Sequence, residues 1–148
     1  EELALDVSSR LPKGAVLTVA CGTNERLKKK LEKAERANLR VLGYTDKISQ
    51  LMDSADLYMT KPGGLSVTEA AVKRLPMLFV DAVSGCETYN KNFFLSRHMA
   101  AAAENPALLA RECVRLLFDA EALAAQKKAM EAEFCTDPAD CIFHTFFS

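Results

Sequence analysis

The sequence predicts an α/β fold, a Rossmann-like parallel sheet flanked by helices, and three observations carry that prediction. Between Glu1 and Val80, short apolar runs alternate with stretches whose apolar positions recur at helical spacing. Glycine, proline and asparagine stand at the junctions between the two kinds of segment. The strand-like runs are nearly continuous in apolar residues, which suits strands covered on both faces. Strands that alternate with helices join by right-handed crossovers, and such sheets place ligand sites at the carboxyl ends of their strands.

In chain order, the pattern predicts a helix over residues 1–10 with Leu3, Ala4 and Val7 on one face, closed by Pro12-Lys13-Gly14. Residues 15–21 read as a strand buried on both faces, and Gly22-Thr23-Asn24 as the turn after it. From Asn24, Leu27, Leu31 and Ala34 share a helical face while Lys28, Lys29, Lys30 and Lys33 face water. Residues 39–43 form a short strand, and Asp46 is placed to cap a helix carrying Ile48, Leu51, Met52 and Ala55. A strand over 57–60 leads through Lys61-Pro62-Gly63-Gly64 to a helix over 66–73 with Val67, Ala70 and Ala71 inward. Pro76 introduces a strand over 77–80. The last third is read as helical over 106–118, 121–133 and 137–147, with a short strand near 99–103.

The chain has 148 residues, 49% of them apolar and 26% charged, which is the make-up of a folded globular unit. At this length folding removes roughly 68–70% of the unfolded surface from water, enough for one core without disulfides. We read residues 1–148 as one domain. Lys and Arg number 19 against 20 Asp and Glu, a balance that argues against nucleic acid as a partner. No apolar run approaches the roughly 20 residues of a spanning helix, because charges such as Arg111, Glu112 and Arg115 interrupt the longest candidates. The first residues lack the basic end and apolar stretch of a secretion signal, and lack Met, so upstream residues are expected in the native protein. Cys21, Cys86, Cys113, Cys135 and Cys141 are scattered without a zinc spacing, which reads as reduced thiols in a cytoplasmic protein and predicts no metal site.

Thr60-Lys61-Pro62-Gly63-Gly64-Leu65-Ser66-Val67-Thr68-Glu69-Ala70 is the segment most suggestive of chemistry. It joins a strand end, two glycines and a helix start. Backbone N–H groups at a helix N-terminus are unpaired and partly positive, and glycine lets an anion approach the main chain. A glycine turn before a helix is also common for structural reasons alone. Glu69 has two readings: Ser66 and Glu69 form a capping-box pattern, and a carboxylate there also suits the hydroxyls of a ribose. On local pattern alone the cap is the simpler reading.

The ordered residues reach beyond that turn. Val41-Leu42-Gly43-Tyr44, Leu51-Met52-Asp53-Ser54-Ala55-Asp56-Leu57, the Thr60 to Ala70 segment, Leu75-Pro76-Met77, Gly85-Cys86-Glu87 and Asn90 together resemble the carboxyl-terminal half of glycosyltransferase family 28. The likeness runs from about Val16 to about Asn90 and is most specific at Lys-Pro-Gly-Gly-Leu…Glu-Ala. That family includes diacylglycerol glucosyltransferases, monogalactosyldiacylglycerol synthases and the peptidoglycan N-acetylglucosaminyltransferase. The resemblance implies the UDP-sugar half of a two-domain GT-B enzyme that inverts the sugar, needs no metal or cofactor, and serves a glycolipid or cell-envelope lipid acceptor. It implies that Gly63, Gly64 and the N–H groups of Leu65 and Ser66 face the diphosphate, that Glu69 faces the ribose, and that Tyr44 with the Thr45 backbone faces the uracil. Gly85, Cys86, Glu87 and Asn90 belong at the sugar end. The implied location is cytoplasmic, with the full-length enzyme at the inner face of the membrane.

The chain departs from the family pattern twice. The family loop Pro-x-Pro-Gly-Gln-Glu is here Ala82-Val83-Ser84-Gly85-Cys86-Glu87, which exchanges an amide for a weak thiol and leaves the sugar open. Cys86 is expected to be a small buried apolar residue, since no histidine lies near it in sequence. The family also begins this half with a strand and a glycine-rich loop that are missing before the first helix. Its general base, usually a His, lies in the other domain, and His98 and His144 do not match it. Alone, the chain is therefore expected not to catalyse, and its implied partner is an amino-terminal acceptor domain that brings the lipid. An open sheet edge offers a route to a homodimer. The aromatic tail Ile142-Phe143-His144-Thr145-Phe146-Phe147 is expected to enter the core or dock on that domain. Two other readings stay open, a UDP-sugar epimerase-like domain and a nucleotide-sugar-binding subunit that needs a separate acceptor-binding partner.

Overall fold

The computed structural model describes residues 1–81, 85–134, 143, 145 and 146. Its elements run α1 (Glu2–Arg10), β1 (Leu17–Ala20), α2 (Glu25–Glu32), β2 (Leu39–Leu42), α3 (Ile48–Asp53), β3 (Tyr58–Thr60) and α4 (Gly64–Val72). They continue as β4 (Met77–Phe79), α5 (Cys86–Ser96), β5 (Ala100–Ala102), a 3-10 turn (Pro106–Leu108), α6 (Leu109–Leu117) and α7 (Ala120–Glu133). All strand pairings are parallel, as predicted. β1 pairs with β2, with Leu17 opposite Leu39, and β4 lies between β3 and β5, with Tyr58, Met77 and Ala100 in register. The pair and the triplet form separate sheets. A doubly wound sheet ordered 3-2-1-4-5-6 leaves this same pair and triplet when its first strand is taken away.

β4 is covered on both sides. Met77 and Phe79 enter a cluster with Val67, Ala70 and Ala71 of α4, Phe94 of α5 and Met130 of α7. Leu78 enters the opposite cluster, with Val7 of α1 and Leu109, Ala110, Cys113 and Leu116 of α6. Successive side chains leave opposite faces of a strand, so a wholly apolar strand requires helices on both. The buried Gln126 of α7 reaches this layer too, and its Oε1 accepts the Met77 N–H at 2.9 Å.

β1 corrects the expectation of burial on both faces: its residues alternate, with Thr18 and Ala20 exposed. α3 corrects another, because Lys47 rather than Asp46 holds its N-cap, and the Lys47 N–H donates to Thr45 Oγ1 at 3.1 Å. α5 has no counterpart in the sequence reading. Phe94 is its only buried residue, so its sequence carries little apolar periodicity.

Two helices end on non-glycine residues in the left-handed region, Arg74 (φ 55°) after α4 and His98 (φ 58°) after α5. The next residues close the turns: Leu75 N–H donates to Ala70 O and Met99 N–H to Phe94 O, both at 2.9 Å. These caps deliver Leu75 and Met99 into the core. No helix of the described residues is long and apolar enough to cross a membrane. Of the aromatic tail, Phe143 and Phe146 are exposed, which overturns core packing for those two. Residues 82–84, 135–142, 144, 147 and 148 lie outside the described residues, and with them Cys135, Cys141, His144 and part of the loop before Gly85.

Candidate functional site

The site assembles where β2, β3 and β4 end. After β3, Pro62 is buried and Gly63 is the extended N-cap of α4 (φ -76°, ψ 135°), with no side-chain cap. Proline disfavours a helical conformation in the residue before it, so α4 begins only past this point. The first intrahelical bond runs from Val67 N–H to Gly63 O at 3.1 Å. The N–H groups of Gly64, Leu65 and Ser66 therefore precede the ladder and have no acceptor within the helix. Ser66 is the third helical residue, not the N-cap, so the capping-box reading of Glu69 does not hold. Glu69 instead sits half-buried within α4, one turn beyond Ser66.

Among the described residues, nothing requires either glycine. Gly63 has a φ open to any residue, and a Cβ there would meet nothing within 4 Å. A Cβ on Gly64 would meet only Asn90 Nδ2, at an ordinary 3.8 Å. Their effect is to leave the main chain bare on the outside, beside Leu65, which is 91% exposed.

Gly85 does need its glycine, because it caps α5 with φ 96° and ψ -129°. Cys86 then occupies the first helical position as an exposed free thiol, correcting the expectation that it would be buried. Glu87 and Asn90 are half-buried on the first turn and a half of α5. The Asn90 Nδ2 donates to Pro62 O at 2.9 Å, which ties α5 to the turn before α4. Sequence reading had placed Asn90 among the sugar contacts and missed this bond, for which no local pattern exists.

Tyr44 and Thr45 follow the end of β2 and so belong to the separate strand pair. Tyr44 is 80% exposed, and the Thr45 hydroxyl is engaged with the Lys47 N–H. Thus Gly63, Gly64, Leu65, Ser66 and Asn90 are brought together, while Tyr44 and Thr45 follow a strand of the other sheet.

Two open hollows flank these elements. The larger, about 390 Å³, lies along Leu31, Leu39 and Val41, with Glu32, Glu35 and Arg36 also lining it. The smaller, about 160 Å³, lies at the ends of β4 and β5 against Lys91, Glu104 and Asn105, beside the α5 part of the site. Among the described residues no three His, Cys, Asp or Glu side chains converge to hold a metal.

The comparisons with known proteins agree with this arrangement. The model of the glycosyltransferase family 28 C-terminal domain matches residues 1–140. The chain is 34% identical over 128 residues to a processive diacylglycerol beta-glucosyltransferase of Staphylococcus carnosus, covering 85% of this chain and 32% of that protein. The Bacillus subtilis enzyme of the same name is 36% identical over 115 residues, covering 76% and 30%. The chain thus spans about a third of the length of these relatives. Among solved structures, the glycosyltransferase SsfS6 of Streptomyces sp. SF2575, complexed with thymidine diphosphate, superposes with a TM-score of 0.54 at 13% identity, over 85% of this chain and 40% of that one. SnogD of Streptomyces nogalater, also a glycosyltransferase, gives 0.53 at 18% identity, over 85% and 49%. At these identities the likeness is one of fold. Together with the sequence matches, it means that the chain belongs to the glycosyltransferase family 28 C-terminal domain family.

Proposed function

We propose that this chain is the donor half of an inverting hexosyltransferase, binding a UDP-sugar that is transferred to a glycolipid or cell-envelope lipid acceptor. The observation that carries the proposal is the uncapped N-terminus of α4, with three backbone donors next to two glycines that the packing of the described residues does not demand. A diphosphate answers both features. It supplies acceptors for the N–H groups of Gly64, Leu65 and Ser66, and it needs the main chain free of Cβ atoms.

As the bond from the anomeric carbon to UDP breaks, negative charge grows on the diphosphate. Preorganised N–H donors stabilise that charge by on the order of 3 kcal/mol each in comparable sites. Glu69, released from a capping role, is placed to accept ribose hydroxyls, as acidic groups do in dinucleotide sites. The start of α5, with Gly85, Cys86 and Glu87, takes the sugar, and Tyr44 with Thr45 takes the uracil. The thymidine diphosphate bound by one neighbour of similar fold supports a nucleoside diphosphate as the ligand class. The names of the relatives support glucose as the sugar and diacylglycerol as the acceptor. The base that deprotonates the acceptor hydroxyl comes from a second, acceptor-binding domain, so this chain alone turns over no substrate.

Calorimetric titration with UDP in the presence of EDTA tests this reading. The parent should bind, and Glu69→Ala should bind about tenfold more weakly, the loss of hydrogen bonds to a charged acceptor. Failure of the parent to bind UDP overturns the proposal.

A further inference from the structure

From the geometry we infer that Asn90 is a positioning residue for the anion-binding turn, acting through the Pro62 carbonyl rather than by touching the donor. The inference rests on the donor-site reading above and deepens it. An amide side chain that donates to a carbonyl has its orientation fixed, because only its nitrogen can donate. The bond from Nδ2 to Pro62 O, at 2.9 Å, therefore fixes the peptide that joins Pro62 to Gly63. That peptide leads into Gly63, the N-cap of α4, and its other end is also engaged: Gly63 N–H donates to Lys61 O at 2.8 Å. With both groups held, the plane of the peptide is set, and with it the direction in which the next three N–H groups leave the chain.

The anchor matters because the turn has little else to steady it. Gly63 and Gly64 lack side chains, no side chain caps α4, and Leu65 lies in water. Glycine has the widest backbone freedom of any residue, so two in sequence would let the donor N–H groups wander. Donors that stabilise a growing charge gain most when they are already aimed. Asn90 supplies that aim from the adjacent helix, which itself starts at the Gly85 turn. The arrangement couples the diphosphate turn to the donor-sugar end of the site through one side chain.

Hydrogen exchange of the Gly63 amide, whose N–H is held by Lys61 O, measured without ligand together with calorimetric titration of UDP and of uridine, tests the assignment. The variants are Asn90→Ala, which removes the donor, and Asn90→Asp, which keeps the shape but presents an acceptor to the Pro62 carbonyl. In both, exchange at Gly63 should rise several-fold before any ligand is added. UDP affinity should fall roughly five- to tenfold, the value of one neutral hydrogen bond. Uridine, which lacks the diphosphate, should bind each variant as it binds the parent. Unchanged exchange with weakened UDP binding would overturn the inference in favour of direct contact with the donor. Equal loss for uridine and UDP, or a fall in thermal stability matching the loss of affinity, would overturn it in favour of general structural damage. If the parent binds no UDP, the donor-site reading falls, and the exchange data alone still decide whether Asn90 holds the turn.

Discussion

β4 and β1 both read as apolar runs in the sequence and differ sharply in the fold. Met77, Leu78 and Phe79 are all at most 2% exposed, whereas Thr18 and Ala20 of β1 face water and Val16 just before it is 62% exposed. Composition accounts for little of this, since Thr18 is the one polar residue of 15–21 and the apolar Val16 and Ala20 are exposed as well. Neighbours account for it. β4 has a strand on each side and helices over each face, while β1 has β2 on one side and α1 for cover. An apolar run states what a strand will tolerate, and the elements around it decide what is buried. The candidate donor site hangs chiefly from the well-covered triplet, which suits a site whose donors must be held still.

The sharpest way to break the contrast is a cavity in each region. Leu78→Ala should cost about 2–5 kcal/mol, as large-to-small changes at fully buried positions do, and Val19→Ala about 1 kcal/mol or less. Urea unfolding curves measure both. Equal losses would mean that β1 is as tightly enclosed as β4. Next in size is Gln126→Leu, which removes the acceptor for the Met77 N–H inside the triplet and should cost about 1–3 kcal/mol by leaving a buried donor unpaired. Gln126→Glu keeps an acceptor oxygen and separates loss of the bond from burial of charge. A variant as stable as the parent would show that water replaces the side chain.

The same contrast explains what the sequence disclosed. The triplet was legible because its central strand β4 needs apolar residues at every position and α4 needs small ones at Ala70 and Ala71, a dense local signal. The glycine turn and its helix were legible for the same reason. Three features were not. Whether β1 would be covered depends on elements distant in the chain. α5 buries only Phe94, so its periodicity is faint. The bond from Asn90 to Pro62 joins residues 28 apart, and Gln126 reaches Met77 across 49. Ser66 shows the opposite failure: a recognisable capping pattern was present, but Gly63 started the helix earlier and left Glu69 without that role.

Helix caps provide a finer comparison. Asn24 Oδ1 accepts from Leu27 N–H at 3.0 Å over α2, and Asp119 Oδ1 accepts from Ala122 N–H at 2.9 Å over α7. Replacing either by Ala should cost about 1 kcal/mol. α7 contributes Met130 to the β4 core, so Asp119→Ala should lower the global unfolding free energy. α2 packs chiefly on β2 of the strand pair, so Asn24→Ala should appear as faster amide exchange centred on α2, β1 and β2. Exchange that quickened everywhere in both variants would join the two regions into one cooperative unit.

The smallest expected effect is a gain. His98 holds φ 58° at the end of α5, a conformation that costs a side chain about 1 kcal/mol and glycine almost nothing. His98 is exposed, and its structural duty is to turn the chain so that Met99 enters the core. His98→Gly keeps that turn, with its bonds from His98 N–H to Leu95 O and from Met99 N–H to Phe94 O, and relieves the strain. The folded state should gain up to about 1 kcal/mol, less the extra freedom that glycine gives the unfolded chain. Because α5 also carries Asn90, UDP affinity should stay at the parent value while the urea midpoint rises. A lower midpoint would mean that the imidazole makes a stabilising contact beyond the turn. A change in UDP affinity would mean that the two ends of α5 are coupled, extending the rigid support of the site from the first turn of the helix to its last.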